Sequence, residues 1–240
     1  MSPPTPVFRT TQQPPFLEHT MARIVLSPRQ TIAATALSLL GALGLITTLT
    51  AARPAAVERP VVTEEWLAKL TGTHRQLFDT PAPAGGVPLV HVLNYYDTYN
   101  KAFNTPDKDV NGVLTFYGAT TFYGLKDAVW AKYALGAFLD TKDSKGAWAT
   151  ANPWRTNPEI LGMSLPQASI ESLQKRGATF IICNNALQIF SALVAKKGGL
   201  DPTAVYEDLK ANILPGVTLV PGMVVAIEQA QKAGLTYHRQ

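Results

Sequence analysis

The sequence has one cysteine, Cys183, among its 240 residues. It can therefore form neither an intrachain disulfide nor a cysteine-rich zinc or iron–sulfur site. Its histidines, His19, His74, His91 and His238, have no metal-ligand spacing, so no metal site is predicted. The sequence also lacks the Gly-x-Gly-x-x-Gly, Walker and Gly-x-Ser-x-Gly motifs, the usual signals of dinucleotide binding, nucleotide binding and serine hydrolysis. No cofactor is predicted.

Charged residues are scarce, at 16% of the chain, and the formal net charge is only +4. Most of this excess lies before Pro54, where the basic residues are all arginines and a single glutamate opposes them. The rest of the chain is close to neutral. Because nucleic-acid binding needs Lys and Arg clustered on a folded surface, no nucleic-acid partner is expected.

A long uncharged stretch, residues 30–52, lies near the start of the chain. Arg23 and Arg29 precede its apolar run at 32–49, and small residues follow at 50–52. A positive flank, an apolar run and small residues in this order are typical of an export signal. We therefore expect an exported protein, either periplasmic or secreted.

The first 52 residues are accordingly expected to be a disordered extension followed by a signal peptide or an N-terminal anchor. About 20 apolar residues suffice to span a bilayer, so membrane anchoring by residues 31–52 is the alternative to cleavage. No other membrane contact is expected. Met21 opens a more conventional signal than Met1 does, which makes Met21 a second candidate start.

Proline and glycine are frequent in residues 53–86, which are predicted to be a linker and lead-in with one short helix at 63–70. From residue 87 onward, short runs rich in Val, Ile, Phe and Leu alternate with helical stretches of about ten residues or more. This pattern predicts an α/β domain over 87–240, with a doubly wound, mostly parallel sheet of five strands. The predicted strands are 87–93, 113–117, 178–183, 217–220 and 235–238, and the predicted helices are 95–103, 121–139, 168–176, 186–196, 203–212 and 223–233.

The segment 140–166 interrupts this alternation and carries Trp148 and Trp154. Loops of this length inside a compact domain usually act as lids or oligomer contacts. Exposed aromatic side chains are expected over 147–154. Because monomers seldom leave large apolar patches in water, a homo-oligomer is expected as well.

The sequence DKDVNG, which begins at Asp107, matches the first half of a calcium-binding loop. The twelfth position of such a loop needs a bidentate glutamate, and here it is Gly118. The residues after Asp107 are therefore predicted to form a solvated turn that leads into a strand.

Polar and aromatic residues follow the first two predicted strands. In an open parallel sheet, ligands bind in the crevice outside the carboxyl ends of the strands. Side chains near those ends are therefore candidate ligand contacts, and simple packing against the sheet is the alternative explanation for them. The candidates are His91, Asn94, Tyr95, Tyr117 and Tyr123.

Cys183 ends a predicted apolar strand and directly precedes Asn184 and Asn185, either of which can cap the helix that follows. Its sulfur is therefore expected at a helix N-terminus. There the partial positive charge and the free backbone N–H groups favour the thiolate, the form that attacks or carries sulfur. A lone cysteine at the end of a buried strand is also common as a small packing residue, so both roles are open.

Four segments carry a resemblance: QKRGATFIICNNAL at 174–187, LPGV at 214–217, VPG at 220–222 and QKAGLTY at 231–237. They resemble segments of DsrE/DsrF-like (YchN-like) proteins, in which an apolar strand ends in C-x-x-A-L and a late P-G precedes a helix and a closing G-x-x-Y. The resemblance covers roughly 87–238. It implies a flavodoxin-like sheet, homo-oligomers, and a cysteine that passes persulfide sulfur along a relay.

Cys183 falls on the position of that cysteine, and the resemblance therefore implies a sulfur donor or acceptor protein as a partner. The chain departs from the small cytoplasmic relay members in its leader, its lead-in and the segment 140–166. The sequence favours an exported sulfurtransferase or sulfur carrier, with Asn184, Asn185 and the candidate tyrosines around the sulfur. The alternative is a non-catalytic exported module for small-molecule binding or assembly, in which Cys183 is structural.

Overall fold

The computed structural model describes residues 64–240, and the fold is that of this part of the chain. The predicted export leader at 1–52 lies outside the described residues. No helix within 64–240 is both long enough and apolar enough to cross a bilayer.

The described residues form seven strands and eight α-helices, joined by short 3₁₀ turns. The strands are β1 (His74–Asp79), β2 (Val110–Phe116), β3 (Glu159–Ile160), β4 (Met163–Ser164), β5 (Thr179–Cys183), β6 (Val217–Val220) and β7 (Thr236–Arg239). The helices are α1 (Glu65–Ala68), α2 (Val87–Phe103), α3 (Asp127–Lys132), α4 (Leu135–Phe138), α5 (Ile170–Lys175), α6 (Asn184–Gly198), α7 (Pro202–Ala211) and α8 (Met223–Lys232).

Five of the strands make one parallel sheet in the order β6-β5-β2-β1-β7. The prediction of a doubly wound α/β fold with five parallel strands is confirmed. The chain adds β2, β5 and β6 successively on one side of β1, and then returns to add β7 on the other side. The strand order therefore reverses between β1 and β7, the kind of position where open α/β sheets bind ligands.

The strand predicted at 87–93 is wrong, because these residues form the first half of α2. Their apolar side chains recur at helical spacing, and α2 buries Leu89, Val92 and Leu93 against the sheet. A proline in the first turn suits a helix start, since its missing N–H has no partner there in any case.

The first strand of the sheet is instead β1, HRQLFD, which lies in the stretch predicted to be a linker. Its first three residues are polar and only half-buried, and its last three are buried. The strand therefore shows no apolar run in the sequence. The sheet thus begins at His74, before the predicted domain boundary at 87.

The single helix predicted over 121–139 is also wrong, since a 3₁₀ turn (Gly118–Gly124), α3 and α4 occupy these residues. The Thr120 hydroxyl donates to the Thr80 carbonyl at 2.5 Å and accepts the Tyr117 N–H at 3.1 Å. These side-chain bonds compete with a regular helix. Ala134, with a φ of 48°, then separates α3 from α4.

The two faces of the sheet are covered differently. One face packs against α2, α5, α6 and α7 in a large apolar cluster. The other face presents Leu77, Val113, Ile181 and Cys183 to α8 and α1. The short helix predicted at 63–70 is therefore present as α1, and it helps to cover the face that carries Cys183.

The segment 140–166 is folded onto the domain and contains the antiparallel pair β3–β4. Trp148 is 46% exposed, as predicted for 147–154. The same prediction is wrong for Trp154, which is buried with its ring centroid 4.2 Å from that of Tyr123. Asn152 holds the segment against the 3₁₀ turn at 118–124, because its Nδ2 donates to the Tyr123 and Leu125 carbonyls at 2.6 and 2.8 Å.

The turn predicted after Asp107 is present as a 3₁₀ turn before β2. Asp107 accepts two bonds from the Arg176 guanidinium, at 2.9 and 3.0 Å. The same guanidinium donates to Asp97 at 2.6 Å and to Asn100 at 2.7 Å. Arg176, which directly follows α5, therefore joins that helix to α2 and to the turn before β2.

Candidate functional site

Cys183 is the last residue of β5 and also the N-cap of α6. Its Sγ accepts the Ala186 N–H from the first turn of α6 at 3.4 Å. The same sulfur accepts the Met223 N–H, the first of α8, at 3.3 Å. Two helix N-termini therefore point at one sulfur atom.

The prediction that Asn184 or Asn185 caps α6 is wrong, because the cysteine takes that position itself. The Asn184 Oδ1 instead accepts the Tyr206 hydroxyl of α7 at 2.7 Å. The Asn185 N–H donates to the Pro221 carbonyl at 3.3 Å, which ties the start of α6 to the end of β6. Both asparagines thus link elements around the sulfur, and neither side chain donates a hydrogen bond to it.

The sulfur accepts two hydrogen bonds from helix N-termini and is otherwise packed among apolar side chains. Helix N-termini carry a partial positive charge, and hydrogen bonds to an anion are stronger than those to a neutral group. Cys183 is only 5% exposed and lies in the buried cluster with Trp66, Val220 and Met223. This cover protects the sulfur from bulk water and from oxidants.

A groove of about 720 Å³ lies beside this cluster. Trp66, which lines the groove, also belongs to the cluster that contains Cys183. Asn185 and Gly222, which line it too, directly precede the two residues whose N–H groups bond the sulfur. Residues adjacent in sequence to both backbone donors therefore line the groove, whereas Cys183 itself does not.

A polar cluster lies where the strand order reverses, and two of its members, Asp79 and Tyr237, were not predicted from the sequence. Asp79, at the end of β1, is buried and accepts the Tyr237 hydroxyl at 2.5 Å. Burial and the nearby Asp79 carboxylate raise the pKa of Tyr117, which follows β2. For Tyr237 the hydrogen bond to Asp79 is the larger cause of a raised pKa, followed by burial. The buried run Leu77-Phe78-Asp79 was the available sequence signal, although the polar first half of β1 concealed it.

Of the tyrosines predicted to shape the crevice, Tyr117 alone packs against the cluster around Cys183. Tyr95 lies on α2 and packs edge-on against Phe78, with ring centroids 5.6 Å apart. Burial raises its pKa. Tyr123 is buried against Trp130 and Trp154, and burial raises its pKa as well. For Tyr95 and Tyr123, the alternative explanation of packing fits the structure.

His91 and Asn94 lie on α2 rather than on a strand or directly after one. The His91 ring stacks on His238 at 5.4 Å, and its Nδ1 lies 2.5 Å from the Gln240 Oε1. Asn94 is exposed. Neither residue lines the groove or joins the cluster around the sulfur.

Metal ligands are not grouped in the described part of the chain, since residues 64–240 bring no three His, Cys, Asp or Glu side chains together around a common position.

Comparison with known proteins adds no family to these observations. No protein-family model matches the chain, and no curated protein matches it either. The resemblance to DsrE/DsrF-like proteins stays a prediction, and the geometry at Cys183 is the main guide to function.

Proposed function

We propose that this protein is an exported, DsrE-like sulfur carrier that holds sulfur as a persulfide on Cys183. The observation that carries the proposal is the convergence of two backbone N–H groups, from α6 and α8, on a single sulfur. Such donors stabilise a thiolate or a persulfide anion, the species that a sulfur carrier must hold. The C-x-x-A-L resemblance at 183–187 supports the same role.

The reaction is a thiol–persulfide exchange. The Cys183 thiolate attacks the outer sulfur of a donor persulfide, an S–S bond forms at Cys183, and the S–S bond of the donor breaks. The donor leaves as a thiolate, so no oxidant or reductant is needed. An acceptor thiolate then attacks the outer sulfur on Cys183 and restores the original thiolate.

Mass spectrometry of the intact chain after incubation with a persulfide donor tests the proposal. The chain is expected to gain the mass of one sulfur atom, to lose it again on reduction, and to gain nothing after Cys183→Ser. Serine keeps the size of the side chain, so this variant should fold, at a cost of about 1–3 kcal/mol if its hydroxyl has no partner. A chain that gains no sulfur from any donor contradicts the proposal.

The burial of Cys183 favours a second candidate function, an exported binding or assembly module in which the cysteine is structural. The thiol is 5% exposed and is packed among apolar side chains. A structural cysteine should alkylate only after denaturation, whereas a carrier cysteine should also alkylate in the native chain. The alkylation rate with and without denaturant therefore separates the two candidates.

Export and self-association are part of the proposal. Export is argued from Arg23, Arg29 and the apolar run at 32–49, which lie outside the described residues. Self-association is supported by the exposed ring of Trp148, because large apolar groups in water favour contact with a second surface.

A further inference from the structure

The described lining of the groove beside Cys183 carries negative charge. Glu64 and Glu65 line it, and none of the described residues that line it is cationic. The Glu64 carboxylate accepts the indole N–H of Trp66 at 2.6 Å, so this charge is held at the edge of the groove. A groove lined by one sign of charge concentrates ligands of the opposite sign and repels those of the same sign.

The remaining lining is apolar or neutral, with Trp66, Leu219, Pro221 and Val225 among its residues. A volume of about 720 Å³ lies within the range of small-ligand sites. It is therefore large enough for a few side chains of an incoming segment. Such a lining accommodates the aliphatic stems of lysine and arginine, while their charged ends meet the carboxylates.

We propose that this groove receives the sulfur donor, and that the donor is a protein segment with lysine or arginine next to its persulfide cysteine. This inference rests on the proposed sulfur-carrier function and specifies its partner. Small anionic donors such as thiosulfate are disfavoured, because Glu64 and Glu65 repel them before they reach the sulfur. The bond changes are those of the thiol–persulfide exchange, with the segment's cysteine leaving as the thiolate.

Replacing Gly222 by alanine tests whether the donor approaches the sulfur through the groove. A methyl group at this residue would lie 3.3 Å from the Asn185 Nδ2, and both residues line the groove. Its φ of −152° is extended backbone that alanine adopts freely. Gly222→Ala should therefore keep the fold and the Met223 N–H bond to the sulfur while it narrows the approach.

The charge test compares two short peptides, each with one cysteine persulfide, flanked by lysines in the first and by glutamates in the second. The full chain is incubated with each peptide at low salt, and the rate of sulfur gain on Cys183 is followed by mass spectrometry. The lysine peptide is expected to react about 5-fold faster, and added salt should reduce this ratio. Glu65→Lys should bring the ratio to about one, whereas Glu207→Gln, an exposed control on α7, should leave it unchanged.

The outcomes separate the two proposals. If neither peptide loads Cys183, the sulfur-carrier function itself fails, and the inference fails with it. If both peptides load Cys183 equally and Glu65→Lys has no effect, the function stands and the cationic donor is wrong. If Gly222→Ala loads as fast as the unaltered chain while thermal unfolding shows an intact fold, the groove is not the route to the sulfur.

Discussion

At the scale of the residue, Cys183 is held in place by backbone. Its sulfur accepts one N–H from its own helix and one from a helix that follows a different strand. The first donor could be predicted from the sequence, because a strand that ends directly before a helix places its last side chain at the helix N-terminus. The second could not, since the Met223 N–H reaches the sulfur only when β6 pairs with β5, a contact between distant parts of the chain.

Gly118 is a residue at which the fold requires glycine. Its φ is 58°, and a methyl group there would lie 2.9 Å from the Pro81 carbonyl oxygen. Gly118→Ala should therefore lower the free energy of unfolding by about 2 kcal/mol or more, through left-handed strain and the close contact together.

Gly146→Ala is the matched control, because Gly146 also has a positive φ, of 77°, but has open space around it. Urea unfolding of both variants should show a loss of about 1 kcal/mol for Gly146→Ala and a larger loss for Gly118→Ala. Equal losses would mean that the Pro81 carbonyl contributes nothing.

At the scale of the element, the strands of the sheet differ in how clearly the sequence marks them. β2 and β5 are buried almost throughout. The strand predicted at 178–183 differs from β5 by one residue, whereas the strand predicted at 113–117 begins three residues after the start of β2, because Asn111 and Gly112 interrupt its apolar pattern. β1 was missed because its first half, His74-Arg75-Gln76, is polar and partly exposed. The apolar run at 87–93 has the composition of a strand but belongs to a helix that buries one face against the sheet, and composition alone does not distinguish the two.

Arg176 connects α2 to α5. Its guanidinium donates to Asp97, Asn100 and Asp107. Its side chain is 21% exposed. Arg176→Ala should lower the free energy of unfolding by about 1–2 kcal/mol at neutral pH, since partly exposed carboxylates lose their partner. Arg176→Lys should lose less, because an ammonium group keeps the charge although it cannot bridge all three acceptors. Lys132→Met removes a more exposed ion pair, with Asp208, and should have little effect.

The contribution of Arg176 should depend on pH. The pKa of Asp97 is lowered mainly by a hydrogen bond from Lys101 and, to a smaller extent, by bonds from Arg176. The pKa of Asp107 is lowered mainly by its hydrogen bonds from Arg176. A carboxyl whose pKa is lowered in the folded state stabilises the fold at pH values above its ordinary pKa of about 3.9. This stabilisation is lost as the pH falls below that value. Urea unfolding at pH 7 and at pH 3 should therefore show a smaller effect of Arg176→Ala at pH 3. An effect of equal size at both values would contradict the assignment.

At the scale of the whole molecule, the segment 140–166 gives the domain an apolar outer surface. Trp148, Leu161 and Met163 are all exposed there. We expect this surface to contact a second copy, so that light scattering at micromolar concentration should give a mass above that of one chain. Replacing Trp148 by serine should weaken the association about 10-fold, because exposed aromatic side chains often dominate such contacts.

Phe103→Ser is the control for that prediction, because Phe103 is equally apolar and more exposed but lies at the end of α2. It should leave the association constant unchanged. A strictly monomeric mass for the unaltered chain would contradict self-association, and equal weakening by both variants would place the contact elsewhere.

β7, the last strand of the chain, pairs with β1, the first strand of the sheet, so the two must meet after most of the chain has been synthesised. During synthesis, β1 can pair with β7 only after residues 236–239 have been translated. Until then β1 has one edge with unpaired N–H and C=O groups, which other extended chains can join. Pairing across so much intervening chain is slow, because the loop must close before any bond forms. A nascent or truncated chain that stops before β7 should therefore depend on chaperones to remain in solution.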